Sequence, residues 1–273
     1  MKKVIAGLAI AAAAAATACS FAGCSQDKLT VYTEAGFAPF EYISGGKIVG
    51  VDVDIMNEVG KKLGKKVVFE NVNFDTIVDA VADGKLTNVG AAGISVNEDR
   101  KAKVDFSMEY YTANLYVIYP AAEATTYEST TTDGKTGVYW EAMTGKKIGI
   151  QTGTTADLFL QDELAEGGSL AGTGAVRTTF TSLNVAVSDI PTNTNVVIID
   201  ELPAQQLIKN KSNLKCAPLY YKGADGENDE AACDSYAIAV TKGQTELLNA
   251  INEVLTELGE EGIQALVNKH LGI

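Results

Sequence analysis

The 273-residue chain is 46% apolar and 21% charged, a balance that fits one or two globular domains and excludes collagen-like, disordered and multi-span membrane chains. Its net charge of −13 opposes a phosphate backbone, so nucleic acid is not an expected partner. One histidine (His270) and four cysteines without a CxxC pair argue against structural zinc, His-based triads and thioredoxin-like chemistry, and no metal or cofactor is expected.

Lys2 and Lys3 precede a run of 15 apolar or small residues, 4–18. At about 1.5 Å per residue this run is too short to cross a hydrocarbon core of about 30 Å, and it reads as the apolar region of an export signal. It ends in Phe21-Ala22-Gly23-Cys24, which resembles a bacterial lipobox, with Phe21 in place of the usual Leu. On that resemblance residues 1–23 are removed and Cys24 carries the lipid, with 24–28 as a tether. Cys19 is a poorer alternative, and ordinary cleavage leaving a free thiol is another. Losing Lys2 and Lys3 takes the mature charge to −15.

Along the mature chain, residues 29–33 suit a strand, 36–42 a loop, and 48–51 the start of another strand. Ile55, Met56, Val59 and Leu63 recur at helical spacing until Gly64. A strand at 67–69, a helix at 76–81 ending at Gly84, and a small-residue strand at 89–94 follow. The polar segment 95–103 leads into 104–111. A strand at 115–119 is followed by an Ala/Thr/Ser-rich stretch, 121–136, that reads as a solvated loop. The second block reads as a strand at 147–150, a turn at Gly153, a helix at 155–164, a strand at 196–199 and a helix at 202–208. Residues 216–221, a polar stretch, a strand at 236–240 and an amphipathic C-terminal helix complete the chain. Alternating strands and helices predict an α/β protein with largely parallel sheets.

Export leaves Cys216 and Cys233 outside the targeting segment. An exported pair can be joined, closing an 18-residue loop worth roughly 3 kcal/mol; the alternative is two free thiols.

Five segments occur in order: GFAPFEY (36–42), GVDVDIMNEVGKKLG (50–64), GAAGISVNEDRKAKVDFSMEYY (90–111), GKKIGIQTGTTADLFL (145–160) and VVIIDELPAQQL (196–207). Together they resemble family 3 of the bacterial extracellular solute-binding proteins, the amino-acid receptors of ABC importers. Asn88 and Met108 depart from the family pattern, at positions that do not normally touch ligand. The resemblance implies a type II periplasmic-binding-protein-like fold: lobe 1 from 29–115 and 220–273, lobe 2 from 116–219, and a ligand cleft between them. It implies an exported monomer outside the cytoplasmic membrane or in the periplasm. Its partners are a free amino acid and a membrane permease.

A free amino acid carries a carboxylate and an ammonium, and enclosing either alone costs several kcal/mol. Arg100, five residues after Ser95 as in the family, is the expected carboxylate fork, with Ser95 adding a hydroxyl and an N–H. Taken alone, Arg100 also reads as a surface charge. Asp200 ends an apolar strand, where open α/β sheets bind ligands, and is the expected ammonium partner; it also reads as a helix cap. Thr154 and Thr155 open a helix whose free N–H groups suit an anion. The resemblance makes Phe37 and Phe74 walls of the site, although Phe is ordinarily core. Ala92 and Gly93 line the site through backbone, and Glu34 faces the far end of the ligand, favouring a cationic or polar side chain. Lobe 1 and lobe 2 thus each hold half of the site, so ligand draws them shut. Hinges are expected near 112–117 and 218–221. Two other classes fit the scaffold: a dehydratase of the cyclohexadienyl type, with Glu34 as its acid or base candidate, and the ligand-sensing subunit of a signalling receptor.

Overall fold

A computed structural model describes residues 27–224 and 227–273. The export signal, Cys19 and the expected lipid anchor Cys24 lie outside the described residues.

Strand β1 (Lys28–Thr33) leads into a three-stranded ribbon, β2 (Gly36–Phe37), β3 (Glu41–Ser44) and β4 (Lys47–Val49). Helix α1 (Val51–Leu63), β5 (Lys66–Asn71), α2 (Phe74–Asp83), β6 (Val89–Gly90), α3 (Glu98–Lys103) and β7 (Asp105–Phe106) complete the first block. The long β8 (Tyr111–Pro120) opens the second block. It continues through α4 (Ala124–Tyr127), β9 (Glu128–Thr130), β10 (Thr136–Tyr139), β11 (Lys147–Gln151), α5 (Thr155–Leu164), β12 (Val176–Phe180) and α6 (Leu183–Ser188). Then come β13 (Val196–Asp200), α7 (Glu201–Ile208), β14 (Leu214–Tyr221) and β15 (Glu230–Ala231). The chain returns through β16 (Cys233–Tyr236) and β17 (Ala239–Val240) and ends in α8 (Thr245–Leu271).

One sheet has the order β5-β1-β6-β17-β7; β5, β1 and β6 are parallel and β17 is antiparallel to its neighbours. The larger sheet runs β12-β11-β13-β8-β14-β10-β9, with β12, β11 and β13 parallel and β8 antiparallel to β13 and β14. Successive residues of β8 face opposite ways. Leu115, Val117 and Tyr119 enter one core, while Tyr116 and Ile118 pack into the other. The apolar stripe of α1 packs on α8, so Ile55, Met56 and Val59 meet Ile251, Val254 and Leu255 in one core. Each fully buried side chain of this kind contributes roughly 1.5–3 kcal/mol. Gly64, at φ 65°, ends α1 in the left-handed region.

Three expectations are corrected. Residues 121–136 are not a solvated loop throughout: Tyr127 is fully buried against Tyr119, ring centroids 5.2 Å apart. A single aromatic anchors an otherwise polar stretch. Residues 218–221 do not form the second crossing, because Tyr220 and Tyr221 pair with Ala231 and Glu230, and Leu219 with Val138, inside the larger sheet. The return is made by β16, which pairs with β8 from Cys233↔Asn114 to Tyr236↔Tyr111. The expected lobe boundary at 220 therefore moves to about residue 232, since Ala232 still belongs to the second core. Finally, Cys216 and Cys233 are free thiols. Cys216 lies opposite Ile118 and Cys233 opposite Asn114. Four positions along β8 separate them by about 13 Å, beyond the reach of a disulfide.

Candidate functional site

A small, nearly filled cavity of about 10 Å³ lies between the two sheets. Its walls come from segments that leave the carboxyl ends of strands: Glu34 after β1, Gly93 and Ser95 after β6, Gln151 and Thr154 at the end of β11, and Asp200 at the end of β13. This is the region where parallel sheets present ligand-binding loops.

On the first-sheet side, Phe37 is buried against Gly93. Gly93 has φ 52°, and a Cβ there would lie 2.8 Å from the Phe37 ring. The close approach and the left-handed backbone both require glycine. Arg100 is 93% buried, although it sits in a short polar helix. Asn97 caps that helix through the Arg100 N–H. The guanidinium donates to Ser95 O at 2.5 Å and lies 5.6 Å from the Phe74 ring centroid.

On the second-sheet side, Thr154 caps α5, accepting from the Asp157 N–H at 3.2 Å and donating to Gln151 O at 2.8 Å. Asp157 also accepts from the Gly153 N–H at 3.1 Å and is forked by Arg177. Asp200 sits at the start of α7 but makes no side-chain cap bond, and its buried Oδ1 has no hydrogen-bond partner among the described residues.

Bonds cross the cleft. Arg100 donates to Gly153 O at 2.8 Å, and Ser95 and Thr155 join their hydroxyls at 3.2 Å. Thr155 also donates to Asp234 on β16.

The cavity lining holds Glu34, Glu41 and Asp200 and no basic side chain. Burial, reinforced by Asp234, pushes the Asp200 carboxyl well above its usual range, against the pull of Arg100. Burial lowers Arg100 to about 10, opposed by Asp234 and Asp200. Glu34 is raised, chiefly by burial.

Glu34, Phe37, Phe74, Gly93, Ser95, Thr154, Thr155 and Asp200 all line the cavity. Arg100 borders it behind Ser95, spending two of its five N–H donors on backbone carbonyls. The Ala92 side chain instead packs with Ile77 and Ile94 in the first lobe's core. The Thr154 hydroxyl is committed to its cap, which leaves Thr155 as the threonine reaching across. Sequence reasoning missed Glu41, Gln151, Asp157 and Asp234. Glu41 carried a usable signal, an acid inside an otherwise apolar 36–42 segment; Asp234 carried none. Among the described residues, no cluster of His, Cys, Asp and Glu could hold a metal ion, and no helix is long and apolar enough to cross a membrane.

Residues 29–273 match the sequence model of the bacterial extracellular solute-binding proteins, family 3. The arginine-binding extracellular protein ArtP of Bacillus subtilis is 27% identical, covering 91% of this chain and 89% of its own. A probable histidine-binding protein of Campylobacter jejuni is 26% identical, covering 89% and 84%. Among solved structures, the amino acid ABC transporter substrate-binding protein AbpA of Streptococcus pneumoniae, bound to L-arginine, superposes with a TM-score of 0.74. It is 25% identical and covers 90% of this chain and 94% of its own.

Proposed function

The chain belongs to family 3 of the bacterial extracellular solute-binding proteins, and on that premise we propose that it is the amino-acid receptor of an ABC importer, closing two lobes around a free amino acid and presenting it to a membrane permease. The observation that carries this reading is the pair formed by the Arg100 guanidinium on α3, which reaches Gly153 across the cleft, and the Asp200 carboxylate at the end of β13, which lines it from the other side.

Arg100, with Ser95, receives the ligand carboxylate, exchanging a carbonyl contact for a charge-assisted fork. The N-terminus of α5 at Thr155 adds a partial positive charge from the other side. Asp200, with no cap bond to hold it, receives the ammonium. Phe37 and Phe74 flank the ligand's carbon skeleton, and Gly93 brings backbone close to it. Because the groups are divided between the lobes, a ligand meets all of them only when the cleft is shut, so binding shifts the population toward that state. Cys24 anchors the mature chain through lipid on the outer side of the membrane. The matched relatives above are named as binding proteins, and the role proposed is capture without turnover.

Isothermal titration of the mature chain against the twenty common amino acids tests the proposal. Saturable 1:1 binding by at least one is expected. Absence of heat and of thermal shift for all twenty overturns it, as would turnover of prephenate or arogenate.

A further inference from the structure

Asp234 reaches the cleft from β16, one of the two strands that join the lobes. That strand also touches lobe 1 directly: Ser95 bridges to Tyr236, and the Val96 N–H donates to Ser235 O at 3.0 Å. From lobe 2, Thr155 at the start of α5 donates its hydroxyl to Asp234 Oδ2. A hydroxyl has one proton. The 3.2 Å contact between Ser95 and Thr155 therefore runs from the Ser95 hydroxyl to the Thr155 oxygen. Two hydroxyls in series thus end on Asp234. Its other oxygen, Oδ1, is buried and has no hydrogen-bond partner among the described residues. Burial raises the Asp234 carboxyl, opposed by the Thr155 hydroxyl and by the charge of Arg100.

Arg100, Ser95 and the start of α5 are the groups assigned above to the ligand's carboxylate. A carboxylate already stands among them, and it belongs to the chain. An incoming carboxylate needs the Ser95 and Thr155 hydroxyls as donors, and neither hydroxyl can serve both acids. Two carboxylates sharing one seat also repel each other. We propose that Asp234 is an internal stand-in for the ligand's carboxylate: it latches Thr155 of lobe 2 to the crossing strand β16, and an amino acid binds by taking its place. The displacement half of this inference rests on the receptor reading above; the latch does not. Asp234 therefore limits affinity. An amino acid that binds turns the two hydroxyls toward itself and leaves the Asp234 charge with fewer donors. As the amino acid leaves, the same hydroxyls return to Asp234 and the latch re-forms.

Titration calorimetry of the wild type and D234N tests the displacement, with each of the twenty common amino acids that binds run beside its own α-amide. The amide keeps the ammonium and lacks the carboxylate. D234N keeps an acceptor for Thr155 and removes the charge. It should bind the amino acid roughly tenfold more tightly than the wild type does, and should gain nothing toward the amide. Weaker binding of the amino acid by D234N overturns the inference and would make Asp234 a partner of the ammonium instead. Equal gains for the amino acid and its amide overturn it as well. The latch is tested without any amino acid, by energy transfer between dyes on L86C in lobe 1 and V185C in lobe 2, both exposed positions, in a C216S/C233S background. Removing the donor in T155V, or the acceptor in D234A, should shift the lobes toward the open form, and T155S should restore the wild-type distance. Unchanged distances in both variants overturn the latch. A chain that responds to none of the twenty loses the receptor reading, and the distance measurement still decides on the latch.

Discussion

Arg177 on β12 forks onto the Asp157 carboxylate in the first turn of α5, and the same carboxylate accepts the Gly153 N–H at 3.1 Å. One ion pair thereby holds the turn whose carbonyl meets Arg100 across the cleft. Asp157→Ala removes the fork and the turn contact together, and should cost about 2 kcal/mol of stability. In a chain of this size that lowers the thermal midpoint by about 4–8 °C. An unchanged melting curve would show that the turn holds its shape without the pair.

Arg100→Ala and Asp200→Asn should each weaken amino-acid affinity by roughly 10–100-fold, since charge-assisted hydrogen bonds contribute about 1.5–3 kcal/mol. Calorimetry at one salt concentration reads this directly. Near-native affinity in either variant removes that residue from the ligand's contacts.

The buried acids impose a pH dependence with a definite sign. Burial raises Asp52 to about 6, against roughly 3.9 in an unfolded chain. Between these values the folded state keeps a proton that the unfolded state has lost. Stability is therefore full below about pH 4 and falls as pH rises through about 6, by roughly 2–3 kcal/mol for this one group. Glu34, Glu41 and Asp200 are shifted the same way. The thermal midpoint should be higher at pH 5 than at pH 8, and Asp52→Asn should flatten the slope. A midpoint that rises over this range contradicts the assignment.

Cys216 and Cys233 should both titrate as thiols in mature protein prepared without reductant. Burial raises Cys216 to about 11 and also raises Cys233, so few thiolates exist at neutral pH and labelling is slow. Cys233 is exposed and Cys216 half-buried, so Cys233 reacts first. Peptide mapping that finds the two joined would reverse this conclusion.

Gly153 has φ 78°, and a Cβ there would stand 3.0 Å from Asp75 Cβ on the opposite wall. Gly153→Ala combines left-handed strain with a wedge between the lobes. It should reduce ligand affinity by about tenfold while costing only about 1 kcal/mol of stability. Equal losses in the two measurements would point to strain alone.

Much of this arrangement was legible in the residues. The helical spacing of Ile55, Met56 and Val59 and the stop at Gly64 mark α1, and a four-residue apolar strand followed by an acid marks Asp200. What escaped were pairings between distant segments. Nothing near Tyr220 announces that it pairs with Ala231, so local pattern puts the return to the first lobe too early. Glu41 carries a local hint, an acid in an apolar segment, but its burial beside Asp52 of α1 depends on tertiary packing. Asp234 enters the cleft only through the pairing of β16 with β8, and pairing of that kind depends on tertiary register rather than local pattern.

That pairing has a mechanical consequence. Where the chain passes between the lobes, β8 and β16 run side by side with residues 111–114 laddered to 233–236. Two laddered strands resist shear and stretching but accept a shared bend and twist. A ribbon of this kind favours rocking of the lobes over sliding. A bend shared by these two strands is the deformation the ladder opposes least, and it is one that would part Arg100 from Gly153 and bring them together again.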